Sequence, residues 1–134
     1  MSVFGVTKGT KLEERIDSNG KGEEAGAGLY AALAYLAKER GLTEMSEVLM
    51  QISTDEARHA GLYAVLNGKA NQDIFEMLKK IAPIESNAFV KLHEFAKCVR
   101  DLGLEEAAEQ IEAVALDERR HGEILSNLIK NTCK

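Results

Sequence analysis

Apolar residues recur every three or four positions through four long stretches of the chain, the spacing that places them on one face of an α-helix. The first stretch carries Leu29, Leu33, Leu36 and Ala37 and ends at Gly41. The later stretches carry Val48, Leu49, Ile52, Leu62, Val65 and Leu66; then Phe89, Leu92, Phe95 and Val99; and finally Ala107, Ile111, Val114, Ala115, Ile124, Leu125 and Leu128. Strand-like alternation of any length is missing, so the pattern predicts an all-α protein of four helices.

An internal repeat groups these helices into pairs. Shifting the sequence by 62 residues aligns residues 23–59 with 85–121, and ten of these 37 positions are then identical. Each copy has the pattern of helix, turn and helix, with a glycine at the turn, as is common where a helix ends. Two duplicated helical hairpins predict a four-helix bundle. We assign residues 1–134 to a single domain and residues 70–83 to the connection between the hairpins, where Pro83 is expected to break or kink a helix.

Composition and charge narrow the class of protein. The chain has 134 residues and a net charge of −5, and phosphate binding needs a basic face, so nucleic acid is not an expected partner. It has no apolar run long enough to cross a membrane and no signal-peptide pattern at its N-terminus, so we expect a cytoplasmic protein. Cys98 and Cys133 form no C-x-x-C motif, and we expect both to be reduced thiols.

The motif Glu-x-x-His occurs once in each copy, and residues three apart lie on one face of a helix. A lone glutamate precedes each motif by 33 residues. Counted from the turn, the lone glutamate of the first copy lies about 27 Å away and its motif about 22 Å away along the helices, so both reach a similar level of an antiparallel bundle. The six candidate metal ligands are Glu23, Glu56, His59, Glu85, Glu118 and His121.

Four carboxylates and two imidazoles can bind two divalent transition-metal ions and balance their charge. Imidazole together with carboxylate suits iron, manganese or zinc better than calcium. Without metal, buried carboxylates this close would raise one another's pKa. The sequence therefore predicts two divalent transition-metal ions per site, which are iron, manganese or zinc.

Four further residues near this pattern allow two interpretations each. Tyr30 lies on the same side of its helix as Glu23, and it either packs in the core or hydrogen-bonds a ligand carboxylate. Asp55 and Asp117 precede the two motifs, and they either orient a histidine of the other hairpin or lie on the helix surface. His93 has no partner motif, and a structural or partly exposed role is favoured.

The spaced motifs resemble those of a known family. They are Gly22-Glu23, Tyr30, Gly41-Leu42, Asp55-Glu56-Ala57-Arg58-His59 and Asp117-Glu118-Arg119-Arg120-His121. Over about residues 10–131 the chain is similar to the ferritin-like domain of rubrerythrins. The resemblance implies a ferritin-like bundle with a non-haem di-iron site, the six residues above as ligands, and reduction of hydrogen peroxide (or oxygen) in oxidative-stress defence.

The chain departs from the rubrerythrin pattern at three points. Rubrerythrins carry a second glutamate three residues after the one matching Glu85, and here that residue is Ala88. The tyrosine that would partner Tyr30 is missing near Leu92 and His93, and no rubredoxin segment is present. Electrons would then come from a separate rubredoxin-like or flavin partner. Two alternatives stay open: a ferroxidase or iron-handling protein, and a metal-binding helical bundle without turnover.

The short connection between the hairpins also predicts a homodimer that exchanges hairpins. If residues 71–84 extend the third helix, the chain must return about 37 Å along a bundle in which the second and third helices run parallel. Residues 67–70 would span only ~14 Å of that distance, so hairpins of two chains would combine. If Pro83 instead ends a separate crossover helix, one chain closes its own site.

Overall fold

The computed structural model describes residues 1–132, which form four helices and no strand. The helices are α1 (Glu13–Glu39), α2 (Thr43–Leu66), α3 (Ile74–Asp101) and α4 (Glu105–Thr132). Four helices without a strand in residues 1–132 confirm the prediction of an all-α, ferritin-like four-helix bundle. None of the described helices is both long and apolar enough to cross a membrane.

The helices pair as two antiparallel hairpins, as the repeat predicts. α1 packs on α2 within the compact unit Met1–Asn71, and α3 packs on α4 within the unit that starts at Gln72. Gly41 and Gly103 occupy the two turns with φ of 74° and 78°. This left-handed conformation carries no steric cost for glycine, which explains why both copies have glycine where the first helix ends.

Small residues form the contact between the helices of each hairpin. Ala34 and Ala37 are buried in the first hairpin, and Ala96 and Ala108 are buried in the second. Of the apolar stripe predicted for α1, Ala37 lies in this contact, whereas the leucines of the stripe lie outside it. Leu29, for example, is 58% exposed, because the helices approach each other along their alanines and leave the larger side chains outside the contact.

The third helix begins earlier than predicted and passes through its proline. α3 starts at Ile74 and contains Pro83, so residues 74–83 belong to a helix and the connection is limited to residues 67–73. The Asp73 side chain accepts a hydrogen bond from the Glu76 backbone N–H at 2.9 Å, which caps the new helix start. Proline removes one N–H from the helix, yet α3 continues on both sides of Pro83.

An N-terminal segment closes the end of α2. The backbone N–H groups of Gly5 and Thr7 donate to the carbonyls of Val65 and Leu66 at 2.9 and 3.1 Å, which satisfies acceptors that a helix end leaves free. Asn67, only 2% exposed, lies at the centre of this contact.

Candidate metal centre

The first hairpin brings its three predicted ligands together. Glu23 projects from α1, and Glu56 and His59 project from α2, with one ligand atom of each lying within 4.8 Å of the others. His59 Nδ1 lies 3.4 Å from Glu23 Oε2. The Glu23 side chain is 23% exposed and the His59 side chain 45% exposed, so one side of the cluster is open.

The second hairpin repeats this arrangement with its own residues. Glu85 of α3 meets Glu118 and His121 of α4, again within 4.8 Å. His121 Nδ1 lies 3.4 Å from Glu85 Oε2 and 3.7 Å from Glu118 Oε2. The two clusters therefore have the same donors, the same spacing and nearly the same exposure, and each offers half of the ligand set predicted for two metal ions.

The carboxylates of each cluster lie close enough to share a proton. A hydrogen bond with Glu23, the loss of water contacts and the negative charge of Glu23 raise the pKa of Glu56. A hydrogen bond with Glu85 and the same two further effects raise the pKa of Glu118. Like charges at this separation disfavour full ionisation, and a bound cation would remove that repulsion.

Gly26 leaves room for the side chain of the candidate ligand Glu56. A Cβ atom built on Gly26 of α1 would overlap Glu56 Oε2 and lie 3.3 Å from Glu56 Cδ. The absence of a side chain at Gly26 therefore lets the Glu56 carboxylate rest directly against the backbone of α1. The equivalent position in the second hairpin is Ala88, so the two half-sites differ in the space beside their glutamates.

A second glycine sets the separation of α3 and α4. A Cβ atom on Gly122, next to the ligand His121, would overlap Ser86 Oγ and lie 3.1 Å from the Ser86 backbone nitrogen and 3.3 Å from the Ala82 carbonyl oxygen. Two of these three atoms belong to the backbone of α3, which cannot turn away as a side chain can. Gly122 therefore holds the ligand-bearing helices close together.

The chemistry of the donor set fits a pair of divalent transition-metal ions. Each cluster offers two carboxylates and one imidazole, a combination suited to iron, manganese or zinc. The raised pKa values of Glu56 and Glu118 reflect repulsion between neighbouring carboxylates, which a bound cation would relieve. The residues of each cluster therefore suit a divalent transition-metal ion.

The aspartates next to the motifs bind arginines in each hairpin. Arg58 Nη2 donates to Asp55 Oδ1 at 2.8 Å, and Arg120 Nη2 donates to Asp117 Oδ1 at 3.0 Å. Both aspartates are more than half exposed, which fits the helix-surface interpretation. Their contact with a histidine of the other hairpin stays a prediction.

The other residues singled out from the sequence have simpler environments. Tyr30 is half-buried on α1, and its hydrogen bond to a ligand stays a prediction. His93 is exposed and its ring stacks on Phe89 at 6.0 Å between centroids, as the partly exposed interpretation predicts. Cys98 is an exposed free thiol, whereas Cys133 lies outside the described residues.

Sequence reasoning missed the roles of Gly26, Gly122 and Asn67. Glycine inside a helix lowers helix stability by about 1 kcal/mol relative to alanine, so Gly26 and Gly122 within helical patterns were a usable signal of close contact. Asn67 gave no comparable signal, because it also suits the end of a helix, where it stands.

Comparisons with known proteins agree with this geometry. A family model described as Rubrerythrin matches residues 14–83. An uncharacterized protein, MJ0746 of Methanocaldococcus jannaschii, is 34% identical over 94% of this chain and 89% of its own length. Reverse rubrerythrin-1 of Clostridium acetobutylicum is 29% identical over 98% of this chain and 74% of its own length. With two matching clusters of glutamate and histidine at the family's spacing, this chain belongs to the rubrerythrin family.

Proposed function

We propose that this protein reduces hydrogen peroxide at a carboxylate-bridged di-iron site, with oxygen as the alternative oxidant. The observation that carries the proposal is the pair of matching clusters, each with two glutamates and one histidine within 4.8 Å. Two such clusters supply the four carboxylates and two imidazoles of a di-iron carboxylate site. Two bound ferrous ions supply the two electrons that, with two protons, convert one hydrogen peroxide molecule into two water molecules.

The chain's own residues have separate parts in this proposal. Glu56 and Glu118 would be shared between the two ions, and Glu23 and Glu85 would each hold one ion together with the nearby histidine. The neighbouring carboxylates raise the pKa values of Glu56 and Glu118, and a cation bound between them would oppose that shift. In this proposal Tyr30 orients a ligand carboxylate by a hydrogen bond.

Each turnover oxidises the site, so an electron donor must restore it. Cys98 is the only cysteine among the described residues, and a single thiol cannot hold a one-iron rubredoxin centre. We take the donor to be a separate rubredoxin-like or flavin-containing protein. In a cell, the resulting reaction would remove peroxide, which is a role in oxidative-stress defence.

Ferroxidase activity is the second candidate, and Ala88 favours it. A peroxidase of this family would use a carboxylate at that position to move iron between ligands, as the resemblance implies. Alanine offers no ligand, and the equivalent position in the first hairpin is Gly26. A site with fixed ligands could still oxidise ferrous ions and release them as mineral.

Anaerobic loading with ferrous ions followed by peroxide distinguishes the candidates. We expect two iron ions per site and rapid oxidation of two ferrous ions per peroxide, with water as the product and iron retained by the protein. Slow oxidation that yields ferric mineral would favour the ferroxidase. Failure of the wild-type protein to bind paired ions would leave a helical bundle without turnover. The Glu118→Gln variant is the control, since it keeps the shape of the side chain and removes one carboxylate.

A further inference from the structure

The second hairpin has a cavity of about 290 Å³ between the first half of α3 and the last turns of α4. Apolar side chains such as Pro83 and Ile129 form part of its wall. Four polar residues form much of the remainder, namely Lys79, Ser86, Ser126 and Lys130. Sites for small molecules are commonly apolar clefts with a few polar groups, and this volume is close to the lower end of their range. The cavity therefore suits a small ligand.

The two lysines of this cavity have no carboxylate partner among residues 1–132. Lys80 Nζ, one residue away in the sequence, binds Glu76 Oε1 at 2.5 Å. Neither Lys79 nor Lys130 forms an ion pair within that part of the chain. Two like charges on one small cavity repel each other, and a bound anion would attract both. The cavity therefore has a positive charge that the described residues do not balance.

The internal repeat shows how the first hairpin balances the charge at the same place. The shift of 62 residues aligns Asp17 with Lys79 and Asn67 with Ile129. Asp17 Oδ2 accepts a hydrogen bond from Lys69 Nζ at 2.6 Å, and Asp17 Oδ1 accepts one from Asn67 Nδ2 at 2.7 Å. The first hairpin therefore provides its own anion, the Asp17 carboxylate, for the lysine at this end.

The second hairpin has cationic residues where the first has an anion. Lys79 takes the place of Asp17, and Lys130 takes the place of Gly68. These two positions together have one negative charge in the first hairpin and two positive charges in the second. Ser126, which replaces an alanine of the first hairpin, adds a hydroxyl with no hydrogen-bond partner among residues 1–132. Two ammonium groups and one hydroxyl are thus available to an acceptor from outside the chain.

We propose that this cavity binds a phosphate group, with the ammonium groups of Lys79 and Lys130 and the Ser126 hydroxyl as its donors. Phosphate has a charge near −2 at neutral pH and several strong acceptor oxygens, which match two cations and a hydroxyl. Lysine is a common phosphate ligand. The Ser86 hydroxyl is not counted, because it donates to the Ala82 carbonyl at 3.1 Å.

The phosphate has two possible sources, inorganic phosphate and a small phosphate monoester. The volume of about 290 Å³ leaves room for a small organic group beside the phosphate, and the apolar wall would contact that group. The cavity shares no residue with the two metal clusters, so this proposal does not depend on the proposed function.

Titration calorimetry at constant ionic strength tests the proposal. The probes are inorganic phosphate and glycerol 3-phosphate, with acetate as a singly charged comparison. We expect saturable binding of one phosphate per chain and weaker binding of acetate. Lys79→Gln and Lys130→Gln should each weaken phosphate binding by about fivefold, the upper end for exposed ion pairs. Tighter binding of glycerol 3-phosphate would identify an organic phosphate as the ligand, and equal binding would identify the phosphate group alone; both results support the site.

The controls locate the binding at this cavity. Lys80→Gln removes an exposed lysine of the same helix that pairs with Glu76 and does not line the cavity, and we expect it to leave phosphate affinity unchanged. Lys79→Asp introduces the residue that the first hairpin has at this position and should abolish binding.

Three results would overturn the proposal. The first is phosphate binding that is equal in the wild type and in the double variant of Lys79→Gln and Lys130→Gln, since the phosphate would then lie elsewhere, for example on a metal ion. The second is an equal loss in Lys80→Gln, which would indicate a general effect of charge. The third is acetate binding as tight as phosphate binding, or no saturable binding of phosphate.

Discussion

Replacing Gly26 by alanine should change stability and metal affinity in opposite directions. Alanine is favoured over glycine inside a helix by about 1 kcal/mol, so the metal-free protein should become more stable. The new Cβ would overlap Glu56 Oε2 and lie 3.3 Å from Glu56 Cδ. The carboxylate is the end of a flexible side chain and can retreat by roughly 1 Å to reach ordinary contact distance.

That retreat moves Glu56 away from the position where it would bind metal. Disturbing groups that orient a metal ligand typically lowers metal affinity by about 10- to 100-fold, and we expect a loss of that size for at least one of the two ions. Thermal unfolding of the metal-free protein measures the first effect. Competition with a chelator for Co(II) measures the second.

Gly28→Ala is the matched control on the same helix. A Cβ atom at Gly28 has no neighbour within 4 Å, and the residue is exposed. This variant should show the same gain in stability with unchanged metal affinity. If Gly26→Ala binds Co(II) as tightly as Gly28→Ala does, the space beside Glu56 does not position the ligand and the reasoning fails.

Three other predictions follow from the same structure. Glu56→Ala or Glu118→Ala should remove at least one metal ion per site, together with the thermal stability that the metal adds. Elemental analysis and melting curves measure both effects, with Glu24→Ala at an exposed position as the control. Unchanged metal content in both variants would contradict the ligand assignment. Gly122→Ala should separate α3 from α4 and lower the free energy of unfolding by about 1–3 kcal/mol, as measured by urea unfolding. Gly61→Ala is the control, because a Cβ atom at Gly61 has no neighbour within 4 Å, and this variant should not be destabilised. The raised pKa values of Glu56 and Glu118 favour their protonated forms in the folded state. The protonated carboxyls therefore contribute fully to the stability of the metal-free protein below their ordinary pKa of 4.5. This contribution is lost as the pH rises through the raised pKa values. Metal affinity should rise over the same pH range, because binding then releases fewer protons from the ligands. Calorimetry in buffers of different ionisation enthalpy counts the released protons. A metal affinity that does not change with pH would refute this prediction.

Local patterns in the sequence were enough to predict the four helices, their pairing into hairpins and the candidate metal ligands. Helical spacing of apolar residues and the glycines at the turns are local signals, and the structure shows four helices that pair as the repeat predicts. Glu-x-x-His places two ligands on one face of a helix. The lone glutamate meets them because the turn is nearly equidistant from both, which is again a matter of counting residues.

Three-dimensional packing determines which helix faces touch and where a proline is tolerated inside a helix. Ala34 and Ala37 form the contact and the leucines of the predicted stripe do not, since helices approach most closely where side chains are small. Pro83 stays inside α3, and Asn67 holds the connection to the first hairpin. These outcomes depend on distances between atoms far apart in the chain, and the local pattern of residues carries no information about such distances.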